Sequence, residues 1–518
     1  MWSRALSLAV IGLALAGCPG GNAGIGAACE GNGDCESGLQ CVANTCSPLC
    51  QRAPDCGDGY ACTEDGLCQR ATGQPGDRCE SEVECAPGLS CQLDANAVGD
   101  QGALGARCTA ENDGLPAGTA CASDEDCRNG TCALGRCVDL CTETRDCGAG
   151  TACTAIPRVE AGGALFRGCL PSRGSITWTI PVVAPSDEIV LPVPQAARSA
   201  TVVFSVDDTA QEVGAAEIFA PSDVDTPSYR RPCTPGIDGC TEELARDQYF
   251  GQRLRHRPER AVSVLQMPAS PSTPLEAGTY RLQVSSFRAN GAQGSAIPRV
   301  TAIMKMDGGV ILDLHFYFLD LEDHPCEDEP TLGGVRLDAA RAQQATFFQT
   351  EFLGQLRTIF ASGGIALGEV TYEDVRGQAR LDGLQVASVG SLFELGAHAT
   401  GINVFFVRTM SPVGIQAFGP NPGPAGLAGT QRSGIAVGVD TLCYRSWEGL
   451  ARITAHEIAR YMGLYRNVEL DVAQHPTWRD PIDDSTDSPQ NLMFFSEKGG
   501  IELSHGQRSI LTRSAVLR

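Results

Sequence analysis

The chain has 518 residues, a formal net charge of −23 and 25 cysteines. That length exceeds one ordinary core and suggests three or four domains at about 100–200 residues each. The negative charge argues against a nucleic-acid partner, because such affinity rests on neutralising phosphates with Lys and Arg, and no basic run offsets it.

The first 17 residues read as a secretory signal. MWSR supplies one positive charge at Arg4, ALSLAVIGLALAG is a short apolar run, and small residues close it. No later stretch reaches the roughly 20 apolar residues needed to span a membrane. Leu15-Ala16-Gly17-Cys18 resembles the lipobox of bacterial lipoproteins. The resemblance implies cleavage before Cys18, diacylation of its sulfur and a lipidated linker over 18–28. The alternative is a plain secretory signal with Cys18 in the disulfide set. If Cys18 carries lipid, the other 24 cysteines are even in number and can all pair.

Residues 29–170 form a cysteine-rich region, and cysteines at this density indicate an oxidising compartment. Cys29 to Cys68 are separated by 6, 6, 5, 4, 6, 6 and 6 residues, and Cys121 to Cys169 by 6, 5, 5, 4, 6, 6 and 16. Cys79, Cys85, Cys91 and Cys108 lie between these octets as a half-unit. GDCESGLQC, PDCGDGYAC, VECAPGLSC and RDCGAGTAC repeat the same arrangement, an acidic residue before one Cys and a glycine-containing turn before the next. Large apolar residues are scarce here, so cross-links rather than a core must hold the fold, and a stapled rod is expected. The set contains no His and no C-x2-C pair, which argues against zinc, while the spacing leaves the pairing open. The pattern resembles the short repeats of bacterial surface lipoproteins and, more loosely, the cysteine-rich region of Dickkopf-type secreted proteins.

Residues 171–307 change to alternation. EIVLPVP, ATVVFSVDD, AEIFAPSD, GTYRLQVSSF and RVTAIMKMD are short strand-like runs broken by Pro, Gly, Ser and Asp, which suits an antiparallel β-sandwich. The segment resembles the jelly-roll-like domains that accompany bacterial secreted peptidases. Cys233 and Cys240 are expected to staple a loop in it. His256, within RLRHRPE, reads as a solvated loop residue.

Residues 308–518 mix strands and helices. VILDLHFYFLD and INVFFVRTM read as buried strands, and Phe348, Phe352, Leu356 and Ile359 recur at helical spacing. Cys326 and Cys443 are the only cysteines here, so a bridge between them is the economical expectation. A Gly/Pro-rich stretch, FGPNPGPAGLAGTQ, leads into SGIAVGVD and then HEIARYMGLYRNVE. On a helix, two His at i and i+4 share a face and can hold Zn²⁺, while Glu at i+1 can polarise a bound water. In metzincins a Gly at i+7, a third His at i+10 and a Met-containing turn complete the site.

His456, Glu457, Gly463 and Asn491-Leu492-Met493 match that pattern, and ELSHGQRSILTRSAVL resembles the closing helix. The segment is therefore similar to the metzincin (zincin) clan of zinc metalloproteases, an α+β fold, with SGIAVGVD corresponding to the edge strand along which substrate lies. The resemblance implies a vestigial general base at Glu457, a vestigial metal ligand at His456 and a Met-turn at Met493. The other two ligand positions are Arg460 and Arg466, and guanidinium has no lone pair to donate. One or both arginines are expected to pair with Glu457 in place of the metal's charge. His475 with Asp480, Asp483 and Asp484 could supply a third ligand but not the second, and His315, His324, His398 and His505 have no ligand-like spacing.

The expected protein is multidomain: disulfide-rich repeats, an antiparallel β-sandwich and a metzincin-like domain. The expected function is that of an extracytoplasmic lipoprotein, held to a bacterial outer membrane or cell surface through Cys18, with a catalytically inactive peptidase-like domain that binds peptide or protein and has no cofactor. The alternatives are an active zinc-dependent endopeptidase with non-standard ligands, and an adhesion or spacer protein built on the cysteine-rich repeats.

Overall fold

The structure is a computed structural model that describes residues 27–30, 34–35, 39–42, 45–48, 50, 52–56, 60–62, 68–98, 104–148, 151–158, 164–171, 175–319, 337–398, 400–468, 477–496 and 498–518. The signal, Cys18, His324, Cys326 and His475 lie outside these residues.

The cysteine-rich region consists of five four-cysteine units rather than two octets and a half. In each, the first cysteine pairs with the third and the second with the fourth. The bridges are Cys29–Cys41 and Cys35–Cys46, Cys50–Cys62 and Cys56–Cys68, Cys79–Cys91 and Cys85–Cys108, Cys121–Cys132 and Cys127–Cys137, then Cys141–Cys153 and Cys147–Cys169. The apparent irregularity of the third and fifth units comes from longer hairpins, Leu89–Val98 with Leu104–Ala110 and Thr151–Arg158 with Ala164–Pro171, which carry the last cysteine further along the chain. Bridges closing such short loops each stabilise by about 2–4 kcal/mol, which replaces the missing core.

The units do not run end to end as a rod. Arg52 Nη1 of the second unit donates to the carbonyl of Gly148 in the fifth at 2.9 Å. Ile156, Phe166 and Leu170 of the fifth unit join the same apolar cluster as the first strands of the following domain.

That domain is an antiparallel sandwich. Its strands are β1 (Ser175–Ile180), β2 (Ser186–Val193), β3 (Ser199–Ser205), β4 (Glu212–Phe219), β5 (Tyr229–Arg230), β6 (Val262–Met267), β7 (Gly278–Phe287) and β8 (Arg299–Lys305). One sheet runs β1-β8-β3-β6 and the other β2-β7-β4-β5, with a further two-residue strand, Glu259–Arg260, paired to the start of β4. Helix α1 (Glu242–Phe250) hangs from the β5–β6 connection, its N-cap Thr241 accepting from Leu244 N–H, and Cys233–Cys240 staples the loop before it. Strands β3 and β6 are buried on both faces, because one side faces the sandwich core and the other packs against the C-terminal domain.

His256 is a correction to the sequence reading. It is buried, with Nε2 accepting from Ala215 N–H at 3.1 Å, Nδ1 bonded to the Val264 carbonyl, and its ring against Phe204 and Tyr229. The charged neighbours in RLRHRPE mask a segment that crosses the core edge. Burial holds the imidazole neutral, its pKa pushed down to about 4.

The C-terminal domain is built on a five-stranded mixed sheet. Its elements are β9 (Ile311–Phe318), α2 (Ala339–Gln344), a π-helical turn (Phe347–Phe352) continuing into α3 (Leu353–Ser362), β10 (Ala366–Asp374), β11 (Ile402–Val407), β12 (Ala417–Phe418), β13 (Ile435–Gly438), α4 (Trp447–Tyr461) and α5 (His505–Leu511). The order is β10-β9-β11-β13-β12, with the first four strands parallel and β12 antiparallel. Residues 402–407 are buried throughout, as expected of a parallel strand covered on both faces.

SGIAVGVD is therefore not the edge. It forms β13, paired on one side with β11 and on the other with β12, so the two-residue β12 takes the edge position. Its run of buried apolar residues reflects interior placement. Among the described residues no helix is long and apolar enough to cross a membrane.

Candidate functional site

Helix α4 carries the His-Glu pair. Ser446 caps it, accepting from Gly449 N–H, and its interior is buried nearly all round, with Trp447 stacked on Phe347 at 4.8 Å. The helix ends in a Schellman motif: Leu464 N–H donates to the Ala459 carbonyl at 3.0 Å and Gly463 N–H to that of Arg460 at 2.9 Å. Gly463 has φ +104°, which favours glycine, and a Cβ there would overlap Gln266 of the sandwich. That side chain donates to the Met462 carbonyl at 2.8 Å. The glycine that matched the metalloprotease pattern thus has a complete structural role of its own.

Three polar side chains, two of them charged, project inward from α4. Arg452 donates to the carbonyls of Leu492, Ser496 and Gly500 at 2.8, 3.0 and 3.1 Å, which pins the following turn beneath the helix. His456 Nδ1 lies 2.8 Å from the Leu492 carbonyl, so that nitrogen carries the proton and Nε2 keeps the lone pair. Glu457 is 6 % exposed, as is His456, and its carboxylate accepts from Arg460 Nη1 at 3.0 and 3.2 Å. His456 Nε2 faces Glu457 Oε1 at 4.0 Å. Burial and the positive charges of Arg460, Arg452 and Arg466 hold His456 well below its ordinary pKa, fixing it as neutral imidazole.

The surrounding structure encloses this cluster. Residues 419–434 lie over the helix, and Gly423 N–H donates to the Tyr461 carbonyl at 3.0 Å. A side chain at Gly423 would overlap the Tyr461 ring, and one at Gly419 would come within 3.2 Å of Glu457 Oε2, so the glycines let the loop settle onto α4. Arg432 within this loop pairs with Glu259 of the sandwich, where burial and the nearby Arg460 lower its pKa to about 10. Trp478 Nε1 donates to Asp247 of α1 at 2.7 Å, and Phe250 stacks on Trp478. The loop thus lies against the Glu457 end of α4 and is tied to the sandwich through Arg432 and Glu259.

Met493 is fully buried, with its N–H donating to Asn491 Oδ1 at 2.8 Å. Asn491 and Gln507 exchange hydrogen bonds at 3.0 and 3.2 Å, and Gln507 closes a capping box with Ser504 at the start of α5. Asp484 accepts from Gly506 N–H and Ser504 Oγ, so it serves the α5 terminus. Asp480 is buried with Oδ2 unpartnered, its pKa raised to about 7 by burial. Cys443 is disulfide-bonded.

Among the described residues the donor set does not fit a three-ligand zinc site. The α4 cluster offers one imidazole lone pair and one carboxylate, and the i+4 position supplies a guanidinium seated on that carboxylate. The cysteine clusters offer no alternative, since the sulfur triads that converge in each unit are oxidised to disulfides rather than available as thiolates.

Residue patterns located His456, Glu457 and Arg460 together but not Arg452 or Arg432. Arg452 is at i−4 from His456, and only the turn that follows α4 in space gives its charge a purpose.

What the fold and site define is a chain of disulfide-paired repeats, an antiparallel sandwich and a mixed-sheet domain with a buried His-Glu-Arg cluster on its central helix. No known protein-family model matches it, and no curated protein matches it.

Proposed function

We propose that this is an extracytoplasmic lipoprotein, anchored through Cys18, whose C-terminal domain is metzincin-like and non-catalytic and which binds peptide or protein rather than cleaving it. The observation that carries the reading is the Arg460–Glu457 pair. The residue that would be the second ligand instead neutralises the residue that would be the general base. The order of elements supports the clan assignment: strand β9, the long helix through α3, strands β10 to β13, the His-Glu helix, a buried Met493 turn and the capped closing helix. Packing of residues 419–434 against α4 favours partner binding on the outer surfaces of the domains rather than along that helix.

One feature favours the zinc-peptidase alternative. The Leu492 carbonyl orients His456 with Nε2 available, the arrangement a metal-ligating imidazole needs. A single oriented imidazole does not hold zinc, so the pair favours the non-catalytic reading. The test restores the pattern: Arg460→His with Arg466→His is expected to gain stoichiometric zinc, and failure of a folded double variant to bind zinc sinks the metzincin assignment. Anchoring is tested by Cys18→Ala, expected to move the protein from the membrane fraction to the soluble fraction.

A further inference from the structure

Away from α4, the seam between the third and fourth cysteine units gathers oxygen atoms that the packing leaves without partners. Glu82 N–H donates to the Leu140 carbonyl at 2.9 Å, which holds the turn of unit three against the chain passing from unit four to unit five. One Glu82 carboxylate oxygen accepts from Cys91 N–H at 2.9 Å. Asp139, the neighbour of Leu140, accepts from Asn129 Nδ2 at 2.9 Å. Thr131 joins the same stretch through Val138 N–H to its carbonyl at 3.0 Å.

Asn129 is 4 % exposed and Thr131 fully buried, yet among the described residues Asn129 Oδ1 and Thr131 Oγ1 have no hydrogen-bond partner. Because the Asn129 amide is tethered to Asp139 through its nitrogen, its carbonyl oxygen lies beside that carboxylate. A buried oxygen without a partner costs about 1–3 kcal/mol, so two in one seam call for a ligand that accepts lone pairs.

The carboxyls make the same demand. Burial and the facing Asp139 push Glu82 up to about 8, and burial followed by Glu111 raises Asp139 against the opposing Asn129 hydrogen bond. No cation is among the leading influences on either group.

We propose that Glu82, Asp139, Asn129 Oδ1 and Thr131 Oγ1 form a site for a hard divalent cation, Ca²⁺, that clamps unit three to units four and five. The ligands are oxygen only, two of them acidic, on irregular loops, which suits calcium's flexible coordination better than the strict octahedron of Mg²⁺. The expected Kd is that of an extracellular module, about 10⁻⁴–10⁻³ M.

The test uses the full chain, stripped with EGTA and titrated with CaCl2 at pH 8 by calorimetry and thermal melting, with MgCl2 as comparison. The expected result is one Ca²⁺ per chain, a raised melting temperature, weaker Mg²⁺ binding, and an affinity about tenfold lower in Glu82→Gln and in Asp139→Asn. Absence of calcium binding at millimolar concentration overturns the proposal, as does unchanged binding in both variants or equal affinity for Mg²⁺. Should those variants lose their near-UV circular dichroism, Thr131→Val decides: a lowered calcium affinity supports the site and an unchanged affinity overturns it.

Discussion

The Arg460–Glu457 pair can be tested without reference to any activity. Glu457 is 6 % exposed, and the Arg460 side chain is 20 % exposed. Removing one partner from a fully buried pair costs about 3–5 kcal/mol, because the other charge stays desolvated and unmatched. The partial exposure of Arg460 lowers the expectation for Arg460→Met to about 2–3 kcal/mol. Adding Glu457→Gln to Arg460→Met removes the stranded charge and recovers most of the loss. The assay is a double-mutant cycle by urea denaturation at pH 7, followed by tryptophan fluorescence with disulfides intact. A coupling of at least about 1 kcal/mol is expected, whereas additivity within about 0.5 kcal/mol would refute the claim that Arg460 compensates Glu457.

Three further outcomes follow from the same structure. His256 has a folded pKa of about 4 against an ordinary 6.5, so the unfolded chain binds the proton first as pH falls. Stability is full above pH 6.5 and drops by roughly 3 kcal/mol by pH 4, and melting curves of His256→Gln across that range should lack this component. Gly423→Ala forces a methyl into the Tyr461 ring and should cost about 1–3 kcal/mol by denaturant midpoint, with Gly429→Ala as a control whose added Cβ meets only the Glu394 carbonyl, at 4.0 Å, although its φ of +67° adds local strain. Asp480 is raised to about 7, so its burial weakens the fold as pH rises through that value. Asp480→Asn should raise the melting temperature at pH 8 and leave it nearly unchanged near pH 4.

Much of the chain was legible from pattern because its elements are governed by local rules. Alternation gave the sandwich strands, helical spacing gave α3, and continuous apolar runs gave β9 and β11. The four-residue step between Cys46 and Cys50 marks a unit boundary, but reading the repeat as octets hid it; crossed pairing follows only when the hairpins fold and bring third and fourth cysteines beneath the first two. His256 was misread because exposure was inferred from charged neighbours, whereas Arg255 is itself buried, with Nη2 donating to the Phe250 carbonyl. The edge strand was misplaced because β12 spans two residues and leaves almost no signal, while β13 has the stronger apolar run. The candidate cluster was legible as residue types on one helix. Its enclosure was not, since it depends on glycines at 419 and 423 meeting α4 and on Gln266 and Glu259 arriving from another domain.

The central claim is that the His-Glu helix carries a charge pair where a peptidase would carry zinc. Elemental analysis of the full-length protein purified without chelators, paired with an assay of general protein cleavage, addresses it most directly. The account predicts no stoichiometric zinc and no cleavage that chelation abolishes; one zinc per chain, lost together with cleavage on adding chelator and restored with it on adding zinc, would contradict it.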